Sequence, residues 1–404
     1  MPPTEIIITA FLATALAASI ISVRTRVPYT VVLVLVGTAL AALSISSVTG
    51  VDTIYDDLSG GGLFVGLVLP PLLFETMMNV KPDELRPILR PALTLATVGV
   101  IVATVVAAAL LWVVARVPLY SAFLFAAIIS PTDTATVLEV FRRVKVPARL
   151  STMMDTEAVF NDATGLVVFT LILTSYGTTT FDPLSVVLQF LFVFGGGVLI
   201  GLGVGFAADR LVRLVRDDIS ESILTLVAVY GSYSLASSLG VSGLIAVATA
   251  GISYAFSSAR TERPERQMYI KNFWLVLSFF ANTLAFLFIG LGTNLGQLYS
   301  YAGSIVIAYL AVMAARLASV YSILGLVKVG RDRASGTWKR TATLGGMRGA
   351  LSIVLATSLP VTLPQRNLIV TVVLGVAFIS ITMQGYLLER YARASFPSKP
   401  EQSA

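Results

Sequence analysis

The stretch that decides the fold runs from Met154 to Phe169 and reads MDTEAVFNDATGLVVF. It places Glu157 and Asp162 in a segment that is otherwise apolar enough to span a lipid bilayer. A charged side chain at the centre of a bilayer costs about 2.5–3.5 kcal/mol even on insertion scales, so acids in such segments usually face a cavity. The stretch therefore indicates a membrane protein that handles ions or protons.

The composition of the whole chain also indicates a membrane protein. Of its 404 residues, 56% are hydrophobic and 12% are charged, whereas charged residues make up about a quarter of soluble domains. Neither cysteine nor histidine occurs, so disulfides, thiolate metal sites and histidine proton carriers are excluded. Proton chemistry must therefore use carboxylates, and we expect no cofactor.

Apolar segments long enough to cross a bilayer recur along the chain, separated by short polar turns. Thirteen can be identified, at about 5–22, 28–46, 62–80, 91–115, 119–140, 155–177, 183–208, 220–239, 241–257, 273–292, 300–327, 341–359 and 366–390. With the N-terminus outside, Arg116 and Arg366 are the only basic residues in outer loops. The positive-inside rule thus predicts a multi-pass protein of the cell membrane with a cytoplasmic C-terminus. This loop asymmetry explains the basic charge without a nucleic-acid partner.

The thirteen segments divide into two sets of six around a glycine-rich linker at 183–208, whose glycines indicate close helix packing. An odd linker gives the two sets opposite orientations, as in transporters built from inverted repeats. The fifth segment of each set is interrupted, by Pro131 in one and by the glycines of 345–349 in the other. We predict an all-α membrane domain over 1–404, in which two interrupted helices cross near the midplane.

Ionisable residues inside the predicted spans are few, and each needs a role. The acids are Glu75, Asp133, Glu157 and Asp162, and the cations are Arg316 and Arg348. On a helix, Glu157 shares a face with Asn161, while Asp162 lies on a neighbouring face. We predict a structural ion pair of Glu157 with Arg316, and we expect Arg348 to compensate charge where the interrupted helices cross.

Asp133 and Asp162 are left as the candidates for ion binding. If they meet at the crossing, their mutual repulsion is relieved either by a proton or by a hard cation such as sodium or lithium. Thr132, Asn161 and unwound backbone carbonyls are expected to complete the oxygen shell. Glu75 follows a double proline, which implies a bent span, and either lines the access path or lies near the membrane interface. A site that holds a cation or a proton, but not both, has the outline of an exchanger.

These motifs together resemble the NhaP-type sodium/proton antiporters of the monovalent cation/proton antiporter superfamily, which are related to the eukaryotic sodium/proton exchangers. The resemblance covers nearly the whole chain and rests on Leu69–Glu75, Pro131–Asp133, Glu157–Asp162, Arg316 and Arg348–Ala350. It implies sodium and proton binding at Asp133 and Asp162. It also implies a homodimer, with a dimerisation part at about 1–90 and 220–292 and a moving core at about 91–177 and 300–390.

Two residues refine what the resemblance implies. Asn161 stands where electrogenic relatives carry a second aspartate, which implies electroneutral exchange of one cation for one proton. Ala158 stands where archaeal relatives often have a serine in the ion's oxygen shell, so a potassium/proton antiporter of the same family is the alternative. Two further classes are an intramembrane aspartyl protease, whose Gly-x-Gly-Asp motif is missing at both aspartates, and a cation channel, which inverted interrupted helices disfavour. We therefore expect a transporter and not an enzyme.

Overall fold

The computed structural model describes residues 4–25, 27–43, 62–175, 183–212, 215, 217–258, 264–329, 332–360 and 362–396. Its helices are α1 Thr4–Thr25, α2 Tyr29–Ala42, α3 Gly62–Leu67, α4 Leu69–Met78, α5 Pro82–Thr94, α6 Val100–Val114, α7 Leu119–Ile129, α8 Ala135–Val144, α9 Ala148–Thr174, α10 Pro183–Val212, α11 Asp218–Ser238, α12 Gly243–Ser258, α13 Pro264–Leu291, α14 Leu295–Ser300, α15 Ala302–Leu326, α16 Gly336–Leu344, α17 Ala350–Thr357, α18 Arg366–Ile379 and α19 Gly385–Ser395. Short π-helical turns, Leu95–Gly99 and Ser380–Gln384, join α5 to α6 and α18 to α19. Strands β1 Lys328–Val329 and β2 Asp332–Arg333 form a small antiparallel pair. The predicted all-α fold is confirmed.

Many of these helices have the length and composition of membrane spans. Within the described ranges, eight helical segments have at least 18 residues and are apolar enough to cross a bilayer, and four further apolar helices are shorter. Large apolar side chains such as Leu188, Phe192 and Leu199 of α10 are exposed, as expected for a surface that faces lipid. The protein is therefore a multi-pass membrane protein. The number of thirteen spans and the sides of the two termini stay predictions.

Several helices extend beyond the predicted spans. The segment predicted at 273–292 belongs to α13, which begins at Pro264, and the segment predicted at 91–115 begins within α5, which starts at Pro82. Hydropathy marks only the apolar part of a helix, and these helices continue into polar turns. The predicted ends of 28–46 and 155–177 fall on residues outside the described ranges.

Both predicted interruptions are present. The chain leaves helical geometry between Ile129 and Ala135, which separates α7 from α8, and again between Leu344 and Ala350, which separates α16 from α17. Pro131 has no N–H to donate, and Gly349 is extended at φ −120° and ψ −161°, so neither continues its helix. The two interrupted helices were thus predictable from these residue types.

The double proline follows a break in the predicted span 62–80. Pro70 and Pro71 occupy the first turn of α4, where backbone N–H groups have no partner within the helix, so the missing N–H of proline costs no hydrogen bond. Val68 separates α4 from α3. The prolines therefore start a helix, and the predicted span 62–80 consists of two helices in succession.

The glycines of the predicted linker allow close helix packing. A Cβ at Gly197 would lie 2.7 Å from the carbonyl oxygen of Ser242, and one at Gly201 would overlap the carbonyl oxygen of Ala246. Both carbonyls belong to the start of α12. Small residues thus bring the backbones of α10 and α12 together, as is common in membrane proteins.

Candidate ion-binding site

The two interruptions meet each other in space. The backbone N–H of Asp133 donates to the carbonyl oxygen of Met347 at 2.8 Å, and the two residues form an isolated antiparallel bridge. Backbone groups that have left a helix need partners where water is excluded. This bridge supplies one and fixes the two unwound segments side by side.

Arg348 lies at this crossing. Its Nη1 donates to the carbonyl oxygens of Ser130 at 2.6 Å and Pro131 at 3.2 Å, and the side chain is buried. These carbonyls end α7, where the helix dipole is negative, so a guanidinium there is favourable. The structure thus places Arg348 at the crossing, and its role in charge compensation stays a prediction.

Asp133 lies between the two unwound segments. Its Oδ1 accepts a hydrogen bond of 2.7 Å from the backbone N–H of Ala135 at the start of α8. Its carboxylate also lies directly against Gly349, where an added Cβ would overlap it. A residue without a side chain at 349 is therefore what allows the second interruption to approach the aspartate.

Asp162 is on α9 and lies on the same cavity as Asp133. Gly165, one turn later, packs against the ring of Pro131, with no room for a Cβ. This contact brings α9 close to the first interruption, and Asp162 and Asp133 line one cavity. Within the described residues, no hydrogen bond satisfies the Asp162 carboxylate. The structure therefore brings together the two aspartates that the sequence singles out.

A chain of buried hydrogen bonds links the first interruption to an ion pair. The Oδ1 of Asn161 accepts from the backbone N–H of Thr132 at 3.1 Å, and its Nδ2 donates to Thr132 Oγ1 at 2.6 Å and to Glu157 Oε1 at 2.9 Å. Glu157 in turn accepts from Arg316 Nη1 at 2.7 Å and Nη2 at 2.9 Å. Arg316 also donates to the carbonyl oxygen of Ala342 in α16.

The Glu157–Arg316 pair has the geometry of a strong structural contact. Two parallel N–H···O bonds join a guanidinium to a carboxylate with a defined orientation. Both side chains are buried, at 1% and 5% exposure. The pair connects α9 to α15, and Arg316 extends the connection to α16, so it ties three helices around the crossing.

The cavity itself has a volume of about 510 Å³. A single water molecule needs roughly 10–15 Å³ of volume that its centre can occupy. The cavity therefore has room for a cation with several waters. Its charged lining residues are Glu75, Asp133, Glu139, Arg142, Arg143 and Asp162. Oxygen-rich, partly acidic surroundings of this kind suit a hard monovalent cation.

Glu75 belongs to this cavity, which favours the access path over the interface position. It extends from α4, and its Oε1 accepts a hydrogen bond of 2.8 Å from Asn79 Nδ2. Ala158 also lines the cavity and contributes only a methyl group. The predicted site residues Thr132, Asp133, Asp162 and Glu75 are thus brought together around one space, with Asn161 directly behind Thr132.

The sequence analysis missed two residues that line the cavity, Glu139 and Ser352, and one acid on α9 that does not line it, Asp155. Glu139 lines the cavity, accepts from the backbone N–H of Tyr29 at 2.8 Å and pairs with Arg143 at 2.6 Å. Asp155 has a buried Oδ1 without a hydrogen-bond partner in the described residues. Its spacing of seven from Asp162, two helical turns, could have indicated it, as the spacing of four could have indicated Glu139 with Arg143. Ser352 also lines the cavity, and nothing in the sequence distinguishes it from other serines in apolar segments.

Comparisons with known proteins place this arrangement among ion transporters. A family model described as "Sodium/hydrogen exchanger, transmembrane" matches residues 7–394. The low-affinity Na⁺/H⁺ antiporter NhaS1 of Synechocystis sp. PCC 6803 is 33% identical over 387 residues, which cover 94% of this chain and 72% of that protein. The Na⁺/H⁺ antiporter ApNhaP of Aphanothece halophytica is 33% identical over 388 residues, which cover 95% and 73%.

A solved structure has the same fold. The sodium proton antiporter MjNhaP1 from Methanocaldococcus jannaschii superposes with a TM-score of 0.77 at 20% sequence identity, covering 98% of this chain and 100% of that one. At this identity the likeness describes the arrangement of the helices. The match extends over nearly the whole chain.

Proposed function

Because this chain belongs to the sodium/hydrogen exchanger family, we propose that it is a secondary antiporter that moves sodium or lithium ions across the cell membrane in exchange for protons. The observation that carries the proposal is the placement of Asp133 and Asp162 on one cavity at the crossing of two interrupted helices. Two carboxylates that share a cavity repel each other when both are charged. Either a proton or a cation relieves that repulsion, so the two ions compete for one site.

The cation is the transported substrate, and its ligands come from side chains on the cavity. We assign sodium binding to Asp133 and Asp162, with the Thr132 hydroxyl and Glu75 as further oxygen ligands. Asn161 orients Thr132, because both ends of its carboxamide are already hydrogen-bonded to protein groups. The Glu157–Arg316 pair holds the helices, and Arg348 neutralises the carbonyls of the first interruption.

Charge counting supports one-for-one exchange. The chain carries a neutral Asn161 next to Asp162, and Glu157 is held by Arg316. Asp133 and Asp162 are then the carriers at the crossing, and exchanging one sodium ion for one proton leaves the net charge unchanged. We expect the rate of sodium/proton exchange in proteoliposomes to be the same at imposed potentials of either sign. A clear dependence of the rate on potential would overturn electroneutrality while leaving antiport intact.

Transport by alternating access fits the predicted division of the chain. In this proposal, residues of about 91–177 and 300–390 move as a core against a dimerisation part of about 1–90 and 220–292, with 183–208 as the linker. The protein acts as a homodimer, with its N-terminus outside and its C-terminus in the cytoplasm. The cavity opens between these two parts, since Glu75 and Tyr29 line it from one and Asp133 and Asp162 from the other.

Proteoliposomes loaded with a pH-sensitive dye test the proposed exchange. A sodium pulse is expected to drive protons across the membrane in the native protein, and Asp162→Asn is expected to abolish this flux. Asp217→Asn is the matched control, because Asp217 is exposed, caps α11 and does not line the cavity, and asparagine caps a helix equally well. No sodium-dependent flux in the native protein, or full flux in Asp162→Asn, would refute the proposal.

One observation favours potassium as a second candidate cation. Ala158 lines the cavity with a methyl group, and a site with fewer oxygens holds a small cation less tightly. Replacing sodium with potassium in the same assay decides between them. Proton flux that saturates at lower potassium than sodium would make the protein a potassium/proton antiporter.

A further inference from the structure

A buried hydroxyl on the cavity has no hydrogen-bond partner. Ser352 is 1% exposed, and its Oγ accepts and donates no hydrogen bond within the described residues. Ser352 nevertheless lines the cavity that Asp133 and Asp162 share. Buried polar groups without a partner are rare, and each one needs an explanation.

The local backbone explains why this serine differs from others in the protein. Serines in helices and at their ends usually donate to a carbonyl three or four residues earlier, as Ser358 does to Leu355 and Ser322 to Ala318. The residues three and four before Ser352 are Gly349 and Arg348, and both lie outside α17, which begins at Ala350 after the extended Gly349. The interruption of the helix thus leaves the hydroxyl without its usual local acceptor.

The same interruption places Ser352 on the cavity that the two acids line. Gly349, the N-cap residue of α17, lies against the Asp133 carboxylate, and Ser352 is in the first turn that follows. Helix α9 contributes Asp162 and the methyl group of Ala158 to the same cavity. A hard cation at the two aspartates needs several oxygen ligands. Asn161 is not among the residues that line the cavity, so the structure gives it no direct place in that shell.

We propose that the Ser352 hydroxyl is a ligand of the transported cation, and that it supplies from α17 a neutral oxygen that Ala158 cannot supply from α9. The proposal rests on the proposed function of sodium/proton exchange at Asp133 and Asp162. A neutral ligand adds no charge, so the one-for-one exchange is unaffected. Because the ligand comes from the second interrupted helix, both interrupted helices hold the ion.

A hydroxyl oxygen at this position selects among cations. Sodium and lithium are smaller and harder than potassium and gain more from an added hydroxyl ligand in a compact shell. Loss of the hydroxyl is therefore expected to weaken sodium and lithium binding more than potassium binding. A purely structural role of Ser352 would change the stability or the maximal rate without changing the ratio between these ions.

The test measures sodium-, lithium- and potassium-dependent proton flux in proteoliposomes of the full chain. Ser352→Ala is expected to raise the sodium concentration at half-maximal rate about tenfold, the loss of one good neutral contact, and the corresponding potassium concentration by less than half that factor. Ser352→Thr keeps the hydroxyl and is expected to stay within about threefold of the native value. Ser358→Ala is the matched control, since Ser358 directly follows α17 and its hydroxyl donates to the carbonyl oxygen of Leu355.

The double variant Ala158→Ser with Ser352→Ala provides the sharpest readout. A hydroxyl restored from α9 is expected to recover most of the sodium affinity lost by the single change. If the native protein exchanges sodium for protons but Ser352→Ala leaves the half-maximal sodium concentration unchanged, the inference about Ser352 is wrong and the proposed function stands. If Ser352→Ala affects sodium and potassium by the same factor, Ser352 is not a selective ligand and the inference fails. Absence of sodium-dependent flux in the native protein would instead refute the proposed function itself.

Discussion

Asn161 links the ion-binding cavity to the structural framework behind it. Its carboxamide joins the backbone and hydroxyl of Thr132 on one side to Glu157 on the other. Glu157 is held in turn by two hydrogen bonds from Arg316. The position of Thr132 on the cavity therefore depends on the geometry of an ion pair one helical turn away.

Removing Glu157 tests that dependence. Glu157→Ala leaves the Arg316 guanidinium buried without its carboxylate and is expected to lower the free energy of unfolding by about 3–5 kcal/mol. Denaturant unfolding in detergent micelles measures the change. Glu389→Ala is the control, because Glu389 pairs with Arg393 at the protein surface, where a salt bridge contributes about 1 kcal/mol or less. Equal stability of Glu157→Ala and the native protein would place Glu157 in the transport path.

The two interrupted helices depend on residues that lack a donor or a side chain. Pro131 ends α7, Gly165 lets α9 approach that proline, and Gly349 lets the second interruption approach Asp133. The paired N–H and carbonyl of Asp133 and Met347 then hold the crossing. Glycine is therefore required at 349 for space, since its φ of −120° is open to any residue.

Gly349→Ala is expected to reduce sodium/proton exchange at least tenfold. The added methyl group displaces the Asp133 carboxylate from its place at the crossing, and overpacking of this kind costs roughly 1–3 kcal/mol. Gly203→Ala is the matched control, because no atom lies within 4 Å of a Cβ placed there. Exchange at the native rate in Gly349→Ala would show that the carboxylate is free to move aside.

Some of these features could be predicted from the sequence, and others could not. The interruptions followed from Pro131 and the glycines around Arg348, and the ion pair followed from the few charges that an apolar segment tolerates. The starts of α5 and α13 could not be predicted from hydropathy, because their first turns are polar. Glu139 and Ser352 could not be assigned to the cavity either, since their place depends on how separate helices pack.

On the scale of the molecule, contacts join the predicted moving core to the predicted dimerisation part. The hydroxyls of Thr30 in α2 and Thr136 in α8 lie 2.7 Å apart, and Glu139 of α8 accepts from the backbone N–H of Tyr29. If the two parts move as proposed, these contacts belong to one of the states of the transport cycle. In the proposed cycle of alternating access, they must separate for the cavity to change sides.

A reversible cross-link tests this motion in a chain that has no cysteine of its own. A disulfide between Thr30→Cys and Thr136→Cys is expected to stop exchange, and a reductant is expected to restore it. The pair Thr104→Cys and Ser130→Cys is the matched control, because those hydroxyls are also 2.7 Å apart but both belong to the core. Exchange that continues after complete formation of the Thr30–Thr136 disulfide would rule out the proposed division.

The central claim is that sodium and protons compete for one site. The most direct test measures, as a function of pH, the sodium concentration at which exchange reaches half its maximal rate. If a bound proton must leave before sodium binds, that concentration rises about tenfold for each unit of pH lowered through the acidic range. Saturating sodium then restores the full rate at every pH. A half-maximal sodium concentration that stays constant while the maximal rate falls with pH would contradict a shared site at Asp133 and Asp162.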